Sequence, residues 1–356
     1  MIYSKLIRVE NRHNKKMYKF QTDYSSNIDR ELSIKKRNGF KVIDLFAGCG
    51  GLGLGFEAAG FETVGYEMDK DCCKTYESNL NGKCYQVVLD KNTNFEHADV
   101  VIGGPPCQPF SVGGEQKGIL DSRDGFPAFI NAINKINPSV WMFENVRGVL
   151  YKNKWYFDQI LMHLSNMGYH IEVNLIKVSD YGVAQNRERL IVVGHKNYFE
   201  FPKKKHQKVT AYEALGDYFF YEPDYGKYLT KSMDDYVKKY EIASKCINPR
   251  DLHMHKPSRT LTCRNLAGAT GDMLRIALPS GKRRRLLIRE AARLQSFPDW
   301  YKFIGNDSSV YKQIGNAVPP LFSYHLAKAV LMSLVADQEL VIKNTTTRHP
   351  IQMSLL

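Results

Sequence analysis

The sequence predicts an α/β fold with a doubly wound, mostly parallel sheet and a smaller, irregular domain late in the chain. Between residues 41 and 194, short runs rich in β-branched residues alternate with helix-like segments, as in parallel sheets buried on both faces. After residue 194 the alternation stops, and residues 196–280 are rich in Lys, Tyr and Pro without a regular period. That stretch is too long for a plain loop, which predicts a separate small domain.

The elements of the main domain can be assigned in chain order. The predicted strands are Lys41–Phe46, Thr63–Glu67, Gln86–Asp90, Asp99–Gly104, Val140–Asn145, Ile171–Val178 and Arg189–Gly194. A helix is predicted before Gly60, because glycine suits the left-handed position that ends a helix. Further helices are predicted at Asp71–Leu80, Ala128–Ile136, Phe157–Met167, Ile288–Phe297 and Leu321–Val335.

These elements divide the chain into four parts. We expect an N-terminal basic extension over 1–39, a main domain over 40–195 and 281–342, the second domain over 196–280, and a tail over 343–356.

The composition is that of a folded chain. Of 356 residues, 43% are hydrophobic and 24% charged, and no run of about 18 uninterrupted apolar residues occurs, so we expect no membrane span. Charges between Lys5 and Lys19 interrupt any secretory signal. The seven cysteines are scattered without a CxxC pair, which argues against a disulfide framework or a zinc site and predicts no metal.

The net charge of +13 is informative about partners. Basic runs occur at residues 35–37, 203–205 and 282–285. One such run is usually a solvated surface, but three runs with a large overall excess favour a polyanion, and nucleic acid is the commonest.

A glycine-rich turn follows the first predicted strand of the main domain. Gly48 and Gly50 open a helix, and Glu67 ends the next strand, an arrangement that fits NAD, FAD or S-adenosylmethionine. The spacing D-x-F-x-G-x-G, which begins with Asp44 and Phe46, differs from the dinucleotide fingerprint G-x-G-x-x-G and favours S-adenosylmethionine.

The segment GGPPCQPFSVGG presents a cysteine at a strand end. Cys107 lies between Pro106 and Gln108 after a strand that ends at Ile102, where ligands bind in open α/β sheets. A lone cysteine is usually buried, but this one is not on a regular apolar face. The glycine-rich residues 111–125 suit a loop that closes over a substrate.

Together these segments make the chain resemble the C5-cytosine DNA methyltransferases of prokaryotic restriction-modification systems. Between residues 41 and 332 the family's blocks appear in order as DLFAGCGGLGLGFEAAGF, GGPPCQPFS, FENVRGVL, QNRERLIVVG, RRLLIREAARLQSFPDW and QIGNAVPP. The resemblance implies the class I S-adenosylmethionine-dependent methyltransferase fold, S-adenosylmethionine as methyl donor and duplex DNA as substrate. It also implies that 196–280 is the target-recognition domain.

The resemblance assigns catalytic roles to four residues. Cys107 would add to C6 of a flipped-out cytosine, since C5 is a poor nucleophile until the ring becomes enamine-like. Glu144 would hydrogen-bond or protonate N3. Arg189 would hold O2, and Arg187 would support the catalytic loop or pocket.

The resemblance also assigns binding residues. The expected cofactor contacts are Phe46, Gly48, Gly50, Glu67, Met68, Asp90, Pro106 and Asn316. Phe46 would stack near adenine, Glu67 would hold the ribose and Asp90 would accept the adenine amino group, although Asp90 stands in VVLDKN where many relatives have Gly-Asp-Ile. The expected DNA contacts are Gln108, Ser111, Gln185, Thr260, Arg264 and Asn265. Arg264 and Asn265 are base-reader candidates, but both could equally bind phosphate.

Four other functions fit the sequence less well. A transfer-RNA cytosine methyltransferase of the same fold would carry a CFT element, whereas Cys246 and Cys263 stand in KCIN and TCRN. A non-catalytic DNA-binding relative would not need Cys107 and Glu144 intact, and an N4-cytosine or N6-adenine enzyme would have Pro-Pro-aromatic. A nicotinamide oxidoreductase would need a different glycine spacing. We therefore expect a monomeric, cytoplasmic prokaryotic modification enzyme, with a restriction endonuclease as a separate partner on the same site.

Overall fold

The computed structural model describes most of the chain. The described residues are 6–10, 16–90, 92–106, 124–152, 154–205, 207–243, 245, 250–267 and 271–346.

Thirteen strands occur in the described residues. They are β1 (Leu6–Glu10), β2 (Lys16–Phe20), β3 (Lys41–Leu45), β4 (Glu62–Glu67), β5 (Cys84–Gln86), β6 (Val100–Gly103), β7 (Val140–Asn145), β8 (His170–Lys177), β9 (Gln185–Asn186), β10 (Glu188–His195), β11 (Ser258–Arg259), β12 (Arg275–Ala277) and β13 (Arg283–Arg285).

Twelve α-helices accompany them in the same part of the chain. They are α1 (Asp23–Glu31), α2 (Gly51–Ala58), α3 (Lys70–Glu77), α4 (Phe126–Ile136), α5 (Val149–Lys152), α6 (Lys154–Asn166), α7 (Ala211–Leu215), α8 (Lys231–Ala243), α9 (Cys263–Ala267), α10 (Ile288–Leu294), α11 (Asp307–Asn316) and α12 (Pro320–Thr346).

A seven-stranded sheet forms the centre, in the order β5-β4-β3-β6-β7-β10-β8. Every pairing is parallel except the two made by β10, which confirms the mostly parallel α/β fold. The inner strands are apolar on both faces, as the burial of Val42–Leu45, Val100–Ile102 and Val140–Phe143 shows, because helices cover the sheet on both sides.

The direction of β10 determines where the site can lie. The carboxyl ends of β3, β4, β6 and β7 meet at one edge of the sheet, where ligands bind in this architecture. Because β10 runs antiparallel to β7, with Leu190 opposite Asn145, its amino end reaches the same edge. Residues that precede β10 therefore join residues that follow the parallel strands.

Two elements differ from the sequence-based assignment. β5 covers Cys84–Gln86 rather than Gln86–Asp90. The N-terminal 1–39, expected only to extend from the domain, contains α1, which Thr22 caps and which buries Ile28 beside Leu32 in the core. Two apolar residues one turn apart are a weak helical signal in a polar sequence, so the packing of this helix was not readable from the pattern.

The last two helices, α11 and α12, form a long apolar stretch. The stretch Asp307–Ala336 could span a membrane by length and composition, but 72% of its most apolar window is buried inside the protein. Residues 196–280 share a hydrophobic cluster with α10–α12 through Leu261, Leu266 and Leu274. Their last strand, β12, pairs with β13.

Candidate active site

The glycine-rich turn after β3 is joined to the end of β4 by one carboxylate. Gly48 N–H donates to Glu67 Oε2 and Asp69 N–H donates to Glu67 Oε1, both at 2.8 Å. Phe46 (φ +56) and Gly48 (φ +54) adopt left-handed backbone, and a Cβ at Gly48 would meet nothing within 4 Å. The turn therefore leaves space in front of its backbone, as a close-fitting ligand requires.

A buried carboxyl lies beneath this turn. Asp44 is 1% exposed, and apart from an approach of the Gly53 N–H, its side-chain oxygens have no hydrogen-bond partner of good geometry within the described residues. Burial and the charge of Glu67 raise its pKa well above the usual value. An unsatisfied buried polar group is costly, so this carboxyl fits a ligand that brings its own donor, such as the ammonium group of S-adenosylmethionine.

The other expected cofactor residues lie near the same sheet edge but are more exposed. Met68 is 66% exposed directly after β4, and Asn316 is exposed at the end of α11. Asp90 Oδ1 accepts from Asn92 N–H (2.9 Å) and the Thr93 hydroxyl (3.0 Å), which lowers its pKa. One carboxylate oxygen of Asp90 thus stabilises the turn that follows this residue.

The two ends of segment 107–123 meet at the sheet edge. Gly125 N–H donates to Pro106 O at 3.0 Å, and a Cβ on Gly125 would lie 2.4 Å from Pro106 Cδ and 2.9 Å from Phe46 Cζ. Only glycine permits this approach. Asn145, missed in the sequence analysis, donates to Pro105 O at 3.1 Å from the end of β7.

Asp124, directly after that segment, accepts two further hydrogen bonds. Asp124 Oδ1 accepts from Phe126 N–H at the start of α4 (3.1 Å), and its Oδ2 accepts from the Tyr156 hydroxyl on α6. Neither residue had been singled out by motif. The predicted Cys107, Gln108 and Ser111 lie outside the described residues.

Glu144 and Arg189 form an ion pair at the edge, with Arg189 Nε 2.6 Å from Glu144 Oε1. Their side chains are only 14% and 12% exposed. Ile191 is the residue opposite Glu144, so Arg189, two positions along β10, projects from the same face. A Cβ at Gly104, at the end of β6, would lie 3.8 Å from Glu144 Oε2. The structure therefore brings two of the predicted catalytic residues into contact beside the Pro-Pro segment.

Arg187 is placed differently from Arg189. It is 2% exposed, and its Nη1 donates to Leu261 O (2.8 Å) and Gly315 O (3.3 Å). Burial and the nearby charge of Arg189 lower its pKa to about 9, which still leaves it charged at neutral pH. Arg187 thus connects residues of 196–280 to the end of α11.

Gln185 corrects one prediction. It is fully buried, accepts from Leu261 N–H at 2.8 Å, and donates to Leu294 O at 3.3 Å and to the Gln295 side chain. A side chain without exposed surface cannot contact DNA in this conformation. Gln185 therefore connects Leu261 to α10 through hydrogen bonds.

A cleft of about 620 Å³ opens beside Arg189. It is lined by Val146, Arg147, Gly148, Lys177, Asn186, Glu188, Arg189, Lys208 and Thr260. Four cationic side chains face one carboxylate, so the cleft suits a polyanion.

The residues predicted to contact bases behave differently from one another. Asn265 is 3% exposed, accepts from Thr262 N–H (2.9 Å) and donates to Thr260 O (2.8 Å). Its amide is therefore committed to a turn, and its assignment as a base reader is wrong for this conformation. Thr260 lines the cleft, and the side chain of Arg264 is 77% exposed.

The basic run 282–285 does not form the phosphate-binding surface expected of it. Arg283 is paired with Asp234 at 2.8 Å. Arg284 is fully buried and makes two bonds to Glu290, at 2.8 and 2.9 Å. Clustered sequence charge here marks internal ion pairs.

The other two runs lie in separate places. Lys35 donates to the Tyr324 hydroxyl and Arg37 pairs with Glu62, near the amino ends of β3 and β4 and thus away from the cleft. Residues 203–205 are exposed, and the nearby Lys208 lines the cleft. Of the three runs, this one remains suited to phosphate.

Comparison with known proteins shows the family of the chain. The family model for C-5 cytosine-specific DNA methylase matches residues 40–332. The chain is 53% identical over 296 residues to the Type II methyltransferase M.AplI of Arthrospira platensis, covering 82% of this chain and 86% of that protein. It is 33% identical over 338 residues to M.FnuDI of Fusobacterium nucleatum, covering 85% and 97%.

Solved structures show the same fold at low identity. The S. pombe Dnmt2 methyltransferase superimposes with a TM-score of 0.62 at 18% identity, over 84% of this chain and 99% of that one. The Entamoeba histolytica methyltransferase EhMeth gives 0.60 at 17%, over 85% and 99%. With a family model across most of its length and a relative at 53% identity, the chain belongs to the C-5 cytosine-specific DNA methylases and is a DNA (cytosine-5-)-methyltransferase.

Proposed function

We propose that the protein methylates C5 of a flipped-out cytosine in one short duplex sequence, through a covalent bond between Cys107 and C6. The observation that carries this is the partly buried Glu144–Arg189 pair beside Pro105 and Pro106. A carboxyl and a guanidinium at one sheet edge match the N3 and O2 edge of cytosine.

Each of the four catalytic residues would have one role in the reaction. The thiolate of Cys107 adds to C6, and its electron pair makes C5 nucleophilic while Glu144 hydrogen-bonds or protonates N3. Arg189 holds O2. Once C5 carries the methyl group, water removes the C5 proton, and the C6–S bond breaks to release Cys107 and restore aromaticity. Arg187 supports this pocket from behind.

S-adenosylmethionine, when bound, would supply an electrophilic methyl group. The orphaned Asp44 carboxyl and the open turn at Gly48 fit it. Glu67, which accepts two backbone bonds, would hold the ribose, and Phe46, Gly50, Met68, Asp90, Pro106 and Asn316 would complete the pocket.

Residues 196–280 would recognise the DNA, with Thr260 at the cleft, Arg264 on the exposed surface and Gln108 and Ser111 beside the flipped base. Type II relatives support a role in restriction and modification. A restriction endonuclease would act on the same sequence without a stable complex. We propose a monomer in the prokaryotic cytoplasm.

The function can be tested with labelled S-adenosylmethionine and either duplex DNA or transfer RNA. Methylation of DNA supports the proposal, and methylation of RNA alone contradicts it. Duplex DNA with 5-fluorocytosine at the target should trap the protein, because the fluorine cannot leave as a proton. The Cys107→Ala variant should bind DNA but neither turn over nor be trapped; turnover near the wild-type rate would refute covalent catalysis by Cys107.

A further inference from the structure

Three arginines converge on one carboxylate next to the cleft. Arg250 Nε, Arg259 Nη2 and Arg264 Nε lie 3.4, 3.5 and 3.8 Å from the carboxylate oxygens of Asp272. Three guanidinium groups around one carboxylate leave two net positive charges. The three guanidinium groups make this a strongly basic part of the surface, and an electron-rich partner would be attracted to it.

Hydrogen bonds connect the chain segment that carries this cluster to the catalytic edge of the sheet. Thr260 donates to Asn186 O at 2.7 Å, and both residues line the cleft with Arg189. Leu261 is held by Gln185 and Arg187. The position of this chain segment is therefore fixed relative to the Glu144–Arg189 pair.

The residues that follow Arg264 are held in place by hydrogen bonds and burial. The following residue, Asn265, is bonded to Thr260 and Thr262, and Leu266 is fully buried. Arg264 itself has a 77% exposed side chain whose Nε faces Asp272. Within the described residues, the ion pair of Nε with Asp272 at 3.8 Å is the polar contact found for this guanidinium, which leaves its Nη groups available to a ligand.

The orientation of a guanidinium group matters more when it binds a base than when it binds a phosphate, so a carboxylate that orients it favours base recognition. Phosphate tolerates many approach directions, whereas O6 and N7 of guanine accept two parallel bonds from a correctly oriented arginine fork. We propose that Arg264 reads one guanine of the recognition sequence in the major groove and that Asp272 is the positioning residue that orients it. This rests on the proposed DNA recognition by residues 196–280.

The experiment uses a library of random duplex DNA methylated by the full-length protein and sequenced at base resolution for 5-methylcytosine. Wild-type protein should yield one recognition sequence that contains a guanine. If it yields no methylated cytosine, the proposed function fails and not this inference alone.

Arg264→Ala should relax the sequence at that one guanine and lower kcat/KM on the original site about 10- to 100-fold. Arg264→Lys should keep only part of the preference for guanine, because lysine can donate to O6 and N7 but lacks the planar fork. Equal loss on all sequences, with Arg264→Lys near wild type and a salt dependence of DNA binding weakened by about one ion, would overturn base reading in favour of phosphate contact. Unchanged discrimination would also overturn it.

Asp272→Asn should relax the same position to a smaller degree, and Asp272→Glu should restore part of the discrimination. Wild-type discrimination in Asp272→Asn would overturn the positioning role. Arg37→Ala is the matched control, since Arg37 is exposed and lies near the amino ends of β3 and β4. Melting temperatures of all variants report folding, and a purely structural role would not relax a single base position.

Discussion

The catalytic edge of the sheet and the buried Arg284–Glu290 pair use charged side chains in opposite ways. At the edge, Asp44 has no hydrogen-bond partner of good geometry among the described residues and Glu144 and Arg189 are paired with each other. In the buried pair, Arg284 is neutralised by Glu290 and also donates to three backbone carbonyls, those of Tyr218, Tyr221 and Arg285. Charges with remaining capacity mark where a ligand binds, whereas saturated charges hold the fold together.

Changing Glu144 tests the catalytic side of this contrast. Glu144→Gln should lower kcat by about 10²- to 10⁴-fold, because a general acid contributes that much, while the free energy of unfolding stays close to that of wild type. Single-turnover methylation and urea unfolding measure both. Glu172→Gln, on the exposed part of β8, is the matched control, and near-normal methylation by Glu144→Gln would contradict the assignment.

Changing Arg284 tests the structural side. Arg284→Met leaves Glu290 buried without its cationic partner and should cost about 3–5 kcal/mol of unfolding free energy. Removing both charges in Arg284→Met/Glu290→Leu should recover much of this loss. Urea denaturation decides, and a single-variant loss below about 1 kcal/mol would mean that the pair behaves as a surface salt bridge.

Changing Asp44 should trade ligand binding against stability. Because its pKa is raised on folding, Asp44 supports folding below its unfolded pKa, and that support is lost as pH rises through the folded value. Asp44→Asn should therefore make the ligand-free protein more stable at neutral pH and flatten its pH dependence above about pH 4. Affinity for S-adenosylmethionine should fall in calorimetry; unchanged affinity would exclude Asp44 from the pocket.

The smallest effect is expected at Tyr156. Tyr156→Phe removes the hydrogen bond to Asp124 and should cost about 1 kcal/mol. If this bond positions the neighbouring segment, kcat falls a few-fold while KM for S-adenosylmethionine is unchanged. Equal kcat in variant and wild type would leave the bond a role in stability only.

The parallel part of the sheet was predictable because buried strands read as continuous apolar runs that alternate with helices. Strand direction was not predictable, because β10 is as apolar as the parallel strands of the sheet and only its pairing with β7 and β8 reveals that it is antiparallel. The register of β5 and the docking of α1 also depended on contacts with distant residues such as Gly65 and Asp299.

For this protein the sequence alone determined the family, the chemistry and the residue types at the catalytic edge, since motif order and local turns depend on neighbouring residues. Only the tertiary structure decided which charges face a ligand. Gln185, Arg187 and Arg189 alternate identically along the chain, yet only Arg189 meets Glu144 while the other two are buried against Leu261. Burial and pairing arise from residues far apart in sequence, so the placement of a charge is a property of the packed molecule.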